Sequence, residues 1–163
     1  MQIIRLVAVI IFLYCLAFFS NGIVFADMAG HGGMVRTLDI SSNGRQVLSG
    51  SFDFTARLWD FSNQNEIAVL DAHSGPVTNV SFVGDGSRGL TASDDKTAIL
   101  WDLKTFKPLK KLQGHTQKVM GLAVSNNGEL AVTGSWDSTV RLWDLDSGKT
   151  VRVFKHTSPV NTV

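Results

Sequence analysis

The sequence predicts an all-β fold built from repeated four-stranded antiparallel units. Histidine, aspartate and a Trp-Asp pair recur along the chain with a constant spacing of 42 residues. Between them, short stretches alternate apolar and polar residues with the period of a half-buried strand, and Gly-containing turns separate these stretches. Helical periodicity is absent after residue 27. A fixed period of this length is typical of folds in which similar units stack on one another.

An apolar segment at the start of the chain precedes the repeats. One positive charge is followed by an apolar run over residues 6–19 and by a Val-Phe-Ala sequence that ends at Ala26. The run is shorter than the ~20 residues that a membrane-spanning helix requires. We therefore expect a helical signal peptide over residues 1–26 and an exported domain over residues 27–163, in the periplasm or outside the cell. The alternative is an uncleaved signal that anchors the chain, and membrane contact is expected only in that way.

Charge and cysteine content exclude several classes of function. The chain has 15 Lys and Arg residues against 14 Asp and Glu residues, and removal of the signal takes away one of the basic residues, Arg5. A domain without net charge offers nucleic acids no basic surface, so we expect no nucleic-acid partner. The only cysteine, Cys15, lies in the signal. We therefore expect no disulfide, no CxxCH haem attachment and no cofactor in the exported part.

Three complete repeats and the beginning of a fourth follow the signal. Their bounds are residues 31–72, 73–114, 115–155 and 156–163. The alternation predicts strands in the first repeat at residues 34–41, 46–51, 55–61 and 66–70. Outer strands of the next two repeats are predicted at residues 108–112 and 150–154. Asn43-Gly44 and Asn127-Gly128 separate the first two strands of their repeats, and such pairs predict hairpins because both residue types tolerate positive φ.

The segments around the third strand carry a resemblance to a known family. They are SGSFDFTARLWD at residues 49–60, TASDDKTAILWD at residues 91–102 and TGSWDSTVRLWD at residues 133–144, the last preceded by Gly114-His115. These segments resemble the WD-repeat (G-beta-like) family, and the resemblance covers the whole chain after the signal. It implies a partial WD-type β-propeller, with three four-stranded blades around a channel and the start of a fourth.

The resemblance also implies a role for the periodic residues. In similar repeats a hydrogen-bond chain runs from a buried Trp through a hydroxyl and a His to an Asp. By position, the chains are Trp59, Ser49, His31 and Asp53 in the first blade, Trp101, Thr91, His73 and Asp95 in the second, and Trp143, Thr133, His115 and Asp137 in the third. Ser51, Ser93 or Ser135 is the alternative hydroxyl in each blade.

Catalytic and metal-binding roles for these residues are disfavoured. A Ser/His/Asp set is typical of hydrolases, but an active site occurs once, whereas this set recurs in every repeat. Each histidine opens a different blade, so the fold would spread the histidines around a ring instead of converging them on a metal. We therefore expect no catalytic residue and no metal ligand, and interpret the set as structural.

The resemblance places a partner-binding surface at one end of the blades. It comprises the loops before the first strands and the turns between the second and third strands. By position, its residues are Met34, Arg36 and Phe52; Pro76, Thr78 and Asp94; Lys118, Met120 and Trp136; and Pro159 and Asn161 at the start of the fourth repeat. Phe52 and Trp136 are unusual because such turns are normally polar, and exposed aromatic residues are enriched in protein interfaces. The alternative is that these rings pack against neighbouring blades.

Several functions remain open on the sequence. We expect a non-enzymatic scaffold that binds a protein or peptide. The alternatives are the N-terminal docking or sensor part of a longer periplasmic redox protein, linked to a c-type cytochrome, or of another enzyme. Closed propellers have ~4–8 blades, so we expect the chain to be the first part of a longer propeller. Self-association of copies through open blade edges is the other possibility.

Overall fold

The computed structural model describes residues 30–163, which fold into twelve β-strands and no helix. The all-β prediction is confirmed, and the predicted signal helix lies outside the described residues. Because this part of the chain contains no helix, it contains none long and apolar enough to cross a membrane. The strands are β1 (Val35–Ile40), β2 (Gln46–Ser51), β3 (Ala56–Asp60), β4 (Glu66–Leu70), β5 (Val77–Val83), β6 (Arg88–Ser93), β7 (Ala98–Asp102), β8 (Lys107–Leu112), β9 (Val119–Val124), β10 (Leu130–Ser135), β11 (Thr139–Asp144) and β12 (Lys149–Lys155).

The strands form three separate four-stranded antiparallel sheets, which we call blades. Strands follow one another in chain order, so the first blade is β1-β2-β3-β4, the second β5-β6-β7-β8 and the third β9-β10-β11-β12. The three blades and the predicted strand positions are thus confirmed, with differences of one or two residues at strand ends. This topology needs only short hairpins, which is why the alternation in sequence predicts it well.

The predicted hairpin between β1 and β2 is present, and one of its two turn residues adopts a left-handed backbone. Only Gly44 of the Asn43-Gly44 pair has positive φ, at 69°. The Gly44 N–H donates to the Ser41 carbonyl at 2.8 Å, and the Asn43 side chain accepts hydrogen bonds from the Ser41 hydroxyl and the Arg45 N–H, both at 2.9 Å. The turn is therefore longer than a two-residue hairpin, and its Asn acts through its side chain instead of through a left-handed backbone.

Apolar side chains fill the spaces between successive blades. Leu48, Leu58 and Leu70 of the first blade pack against Val77 and Trp101 of the second, and all five are at most 2% exposed. A second cluster joins the second and third blades in the same way. Its fully buried members include Leu90, Leu100, Leu112, Val119 and Leu145. The core of the molecule therefore lies between sheets, and each blade depends on its neighbours for burial.

Polar groups also bridge the blades. The Phe82 N–H donates to the Asp39 carboxylate at 2.7 Å, from the second blade to the first. Arg88 of the second blade donates to the Gly128 carbonyl of the third at 2.9 Å. These bonds join neighbouring blades, so they help to fix the stacking of the blades in addition to the apolar contacts.

The last eight residues lie against the third blade without forming a strand. The Val160 N–H donates to the Ser135 carbonyl at 2.9 Å. Val160 also approaches Gly134 so closely that a Cβ added there would lie 2.6 Å from Val160 Cγ1. Gly50 has the same relation to Val77, the first residue of β5, again at 2.6 Å. Residues 156–163 thus lie where the innermost strand of a further blade would begin.

Candidate interaction face and the polar chains behind it

Each blade contains a hydrogen-bonded chain of four side chains at equivalent positions of the repeat. In the third blade, the Trp143 indole N–H donates to the Thr133 hydroxyl at 2.8 Å, and Thr133 Oγ1 lies 2.7 Å from His115 Nε2. His115 Nδ1 lies 2.8 Å from Asp137 Oδ2. A neutral imidazole with its proton on Nδ1 lets each group donate to the next one, so every member of the chain is satisfied.

The first and second blades contain the same chain. The distances there are 2.8 or 2.9 Å. The members are Trp59, Ser49, His31 and Asp53 in the first blade and Trp101, Thr91, His73 and Asp95 in the second. The structure thus brings each predicted set of four side chains together within one blade.

The neighbouring serines on the second strands lie outside these chains. The hydroxyls of Ser51, Ser93 and Ser135 accept the backbone N–H of the repeat aspartate at 3.0 or 3.1 Å. They hold the turn between the second and third strands in shape. The two hydroxyls of each second strand therefore have different partners, although they lie on the same strand face.

A threonine two residues after each aspartate completes the chains, and sequence reasoning missed it. The hydroxyls of Thr55, Thr97 and Thr139 donate to the second carboxylate oxygen of the aspartate at 2.6 or 2.7 Å. Their backbone N–H groups donate to the same oxygen at 2.9 or 3.0 Å. The signal was available, because Asp-x-Thr occurs in all three repeats.

These bonds keep the aspartates ionised. Burial alone would raise the pKa of Asp137, but hydrogen bonds from Thr139, from the backbone of the preceding loop and from His115 outweigh it and lower the pKa to about 2. Burial likewise acts to raise the pKa of Asp53 and Asp95, and hydrogen bonds from the equivalent groups hold both well below the usual range. Each carboxylate can therefore serve as the fixed acceptor at the end of its chain.

Burial also keeps the third histidine neutral. It lowers the pKa of His115, and the neighbouring Asp137 only partly opposes this effect. A neutral ring is the form that the hydrogen-bond chain requires. Within residues 30–163, no group of three or more His, Cys, Asp or Glu side chains is arranged to hold a metal ion.

One end of the blades presents residues that differ between repeats. The backbone N–H groups of Phe52, Asp94 and Trp136 each donate at 3.0 Å to a carbonyl in the loop before the first strand of their blade. The acceptors are Met34, Pro76 and Lys118. Turn and loop therefore lie side by side in every blade. We call the surface formed by Met34, Arg36, Phe52, Asp94, Lys118 and Trp136 the candidate face.

Two aromatic rings on the candidate face are exposed and each contacts a cation. The Arg36 guanidinium lies 5.6 Å from the ring centre of Phe52, which is 37% exposed. The Lys118 ammonium lies 5.6 Å from the ring centre of Trp136, which is 41% exposed. Lys118 also forms an ion pair with Asp94 of the preceding blade. These cation–π contacts hold the rings at the surface instead of in the core.

The other predicted face residues differ in their exposure to solvent. Thr78 does not reach solvent: it is 3% exposed, and its hydroxyl donates to the Val119 carbonyl of the third blade at 2.6 Å. It joins two blades, which is a correction to its predicted surface position. Pro76 and Met120 are half-buried.

Two further predicted face residues follow the third blade in the chain. Pro159 and Asn161 are both exposed. The Trp136 indole N–H donates to the Asn161 side-chain oxygen at 2.8 Å. This indole is therefore engaged at the surface, in contrast to the buried indoles of the polar chains.

Comparison with known proteins places the chain in a repeat family. The family described as "WD domain, G-beta repeat" matches residues 23–60, 64–102 and 106–144. The second and third matches each begin at the outermost strand of one blade and end at the Trp-Asp pair of the next. The second and third matched segments thus each include strands of two neighbouring blades.

Two curated proteins are similar to a short segment of the chain. Over 46 residues, or 28% of this chain, the chain is 48% identical to the nuclear distribution protein PAC1 of Debaryomyces hansenii. It is 44% identical over the same length to the PAC1 protein of Scheffersomyces stipitis. In both cases the match spans 9% of the relative's own length. The repeat matches together cover well over half of the sequence, and the chain therefore belongs to the WD domain, G-beta repeat family.

Proposed function

We propose that the protein is a non-catalytic scaffold that binds a protein or peptide partner across the candidate face. The observation that carries the proposal is the row of non-repeated residues Phe52, Asp94 and Trp136, one per blade, at equivalent turn positions. Repeats of this family generally mediate protein interactions, which supports the same function. Exposed aromatic and Arg residues are also the side chains that contribute most to protein interfaces.

The chemistry of the face favours an acidic partner segment with apolar side chains. Arg36, Lys96 and Lys118 are exposed at this end of the blades, and one acidic residue, Asp94, lies among them outside the polar chains. The rings of Phe52 and Trp136 can contact apolar groups, while Arg36 beside Phe52 can pair with a carboxylate; Lys118 already pairs with Asp94.

A structural role for the polar chains supports the absence of catalysis. The Ser49 hydroxyl lies 2.8 Å from His31 Nε2, as in a hydrolase, but Ser49 is 2% exposed and already accepts the Trp59 N–H at 2.8 Å. A substrate carbonyl could not approach such an oxygen. The same arrangement in the other two blades fits a structural bond better than a reactive one.

We also propose that the protein is exported. The proposal rests on the apolar run at residues 6–19 and the small residue at Ala26, which have the order of a secretory signal. Sequencing the N-terminus of the protein recovered from its host would test this, with Asp27 expected as the first residue. An N-terminus at Met1 on a membrane-bound protein would favour the anchored alternative.

The partner-binding proposal is tested by removing both exposed rings. In a Phe52→Ala/Trp136→Ala variant, a partner captured by the tagged protein in its host should bind at least about tenfold more weakly, because the loss of two interface aromatic residues costs more than 1.4 kcal/mol. Circular dichroism should show an unchanged fold, because both rings are exposed.

The matched control removes exposed apolar side chains elsewhere. Phe61 and Leu109 are 52% and 46% exposed and lie outside the candidate face. A Phe61→Ala/Leu109→Ala variant should retain the partner in full. Retention of the partner by the Phe52/Trp136 variant, or its loss by the control variant, would contradict the proposal.

A further inference from the structure

Two arginines at the same position of the repeat have matching surroundings. A Cβ added at Gly30 would lie 2.6 Å from Arg57 Nη1, and one added at Gly114 would lie 2.6 Å from Arg141 Nη1. The Nε atom of each arginine is buried and has no hydrogen-bond partner among residues 30–163. The Arg141 guanidinium also lies 6.0 Å from the ring centre of Trp143. The two guanidinium groups can therefore be compared directly.

The two guanidinium groups differ in their acidic partner. Arg57 of the first blade forms an ion pair with Glu66 of β4. Thr150 takes the place of Glu66 in the third blade, because both residues pair in register with the tryptophan of the Trp-Asp sequence on the neighbouring strand. Within residues 30–163, Arg141 forms no ion pair. The chain therefore supplies a carboxylate to this guanidinium position in the first blade and not in the third.

Arg141 lies at an open cleft between the outer parts of the second and third blades. We call it the outer cleft and define it by Lys110 of β8 and by Arg141, Val153 and Lys155 of the third blade. Lys110 faces the third blade, because its Cδ lies 3.4 Å from a Cβ added at Gly148. Val153 pairs with Arg141 on the side that faces the second blade, yet it is 41% exposed. Both walls belong to the described part of the chain, and they meet closely only nearer to its core.

The outer cleft is more basic than the equivalent place between the first and second blades. Its three cations form no ion pair within the described residues, and their counterparts at the first junction are uncharged. These counterparts are Ala68, Ile99 and Gln113. Only Lys111, in the place of Val153, brings a cation to the first junction. Asp102, an acidic residue on the second-blade side, already accepts the N–H groups of Lys104 and Thr105 at 2.7 and 3.1 Å.

We propose that the outer cleft binds an acidic segment of a partner protein, with a carboxylate of that segment paired to Arg141 as Glu66 is paired to Arg57. The fork of a guanidinium matches a carboxylate, and the two lysines add attraction for a second acidic side chain. Val153 offers an apolar contact beside the charges. The outer cleft is formed by outer strands, whereas the candidate face is formed by loops and turns, so this inference does not depend on the partner proposed there.

The test measures binding of a fluorescein-labelled deca-glutamate peptide to the purified full chain by fluorescence anisotropy at low ionic strength. A Lys110→Gln/Arg141→Gln variant should bind the peptide at least about tenfold more weakly, because it loses two charged contacts. Lys111→Gln/Arg152→Gln is the matched control. It removes two cations from β8 and β12 on the opposite sides of the same blades. This control should bind within about twofold of the unaltered chain, because exposed charges outside the cleft contribute little.

A second variant tests the cleft without removing Arg141. In Thr150→Glu the introduced carboxylate should pair with Arg141, as Glu66 pairs with Arg57 in the first blade. It should therefore compete with the peptide and weaken its binding at least about fivefold. Thr150→Gln has nearly the same shape without the charge, and it should bind like the unaltered chain. Circular dichroism of all variants checks that the fold is intact.

Four outcomes would overturn the proposal. The first is a peptide that does not bind, or whose binding the control variant weakens equally, as expected of unspecific attraction. The second is full binding by the Thr150→Glu variant. The third is a loss of binding only in an Arg36→Gln/Lys118→Gln variant, which would place the peptide on the candidate face and leave the proposed function intact. The fourth is binding of phosphatidylglycerol vesicles without binding of the peptide, which would assign the cleft to a lipid surface.

Discussion

Each hydroxyl in the polar chains carries two hydrogen bonds that no neighbouring group can take over. Thr133 is fully buried, and its hydroxyl bonds both the Trp143 indole and the His115 ring. If the hydroxyl is lost, both nitrogens remain buried without a partner, because water cannot reach them. The periodic residues therefore stabilise the blades from within and contribute little to recognition.

The first prediction removes one hydroxyl without changing the shape of the side chain. Thr133→Val should lower the free energy of unfolding by about 2–4 kcal/mol, because two buried polar groups lose their partner. Thr150→Val, at a half-buried position of β12, is the matched control and should change it by less than about 0.5 kcal/mol. Urea unfolding gives the free energy of unfolding of both variants. Equal losses would contradict a stabilising role for the hydrogen-bonded chain that contains Thr133.

The second prediction concerns acid stability. The pKa of His115 is lowered in the folded protein, so the unfolded chain takes up a proton first as the pH falls below 6.5. The pKa of Asp137 is lowered to about 2, so its stabilising effect is present above pH 3.8 and is lost between pH 3.8 and 2. The melting temperature should therefore decrease in two steps on acidification.

An Asp137→Asn variant separates the two steps. It should melt at a lower temperature than the unaltered chain at pH 7, because the carboxylate that accepts the bonds is gone. Its melting temperature should also decrease less between pH 3.8 and 2. If the melting temperature of this variant decreased as steeply on acidification as that of the unaltered chain, this carboxylate would not control acid stability.

At the scale of strands and turns, three positions of each repeat adopt a left-handed backbone. The turn between the third and fourth strands has φ of 61° at Gln64, 59° at Phe106 and 71° at Gly148. Glycine adopts this conformation without strain, whereas an aromatic residue does so at a cost of about 1–2 kcal/mol. The second blade therefore carries local strain that the third blade avoids.

The third prediction relieves this strain. Phe106→Asn should raise the free energy of unfolding by up to about 1 kcal/mol, because Asn tolerates positive φ. Phe106 is 37% exposed, and the contacts of the covered part of its ring are lost in the variant, which limits the gain. Phe61→Asn, at an exposed position whose φ is not positive, should bring no gain. Thermal unfolding measures both, and a loss of stability in the Phe106 variant would contradict the assignment of strain.

Sequence reasoning predicted the strands of each repeat better than the contacts between blades. The alternation and the 42-residue spacing predicted the strands and the repeats, and the resemblance to WD repeats implied which residues form the polar chains; all of these depend on contacts within one repeat. Neither predicted that Thr78 faces Val119, because that contact joins different repeats. The left-handed backbone at Phe106 was not predicted, because an aromatic residue gives no signal for positive φ. Only the alignment of the repeats, which places Phe106 at the position of Gly148, indicates it.

At the scale of the whole molecule, stability depends on the junctions between blades. Leu58 and Leu100 are 0% and 2% exposed because a following blade covers them, whereas Leu142 at the same repeat position is half-buried. A blade alone would expose one apolar face on each side. The three blades should therefore unfold together in one cooperative transition.

The fourth prediction compares equivalent leucines at covered and open positions. Leu100→Ala should lower the free energy of unfolding by about 2–5 kcal/mol, because it leaves a cavity between two blades. Leu142→Ala should cost less than half as much, because its side chain is only partly buried. Denaturant unfolding provides both values, and equal costs would mean that Leu142 is covered as completely as Leu100.

The central claim is that the periodic tryptophans hold the blades together while the non-periodic one serves recognition. Hydrogen exchange of the four indole N–H groups, followed by NMR, tests this claim most directly. The account predicts that the indoles of Trp59, Trp101 and Trp143 exchange only on global unfolding, whereas that of Trp136 exchanges fast. Fast exchange of any of the first three, or protection of all four in the free protein, would contradict it.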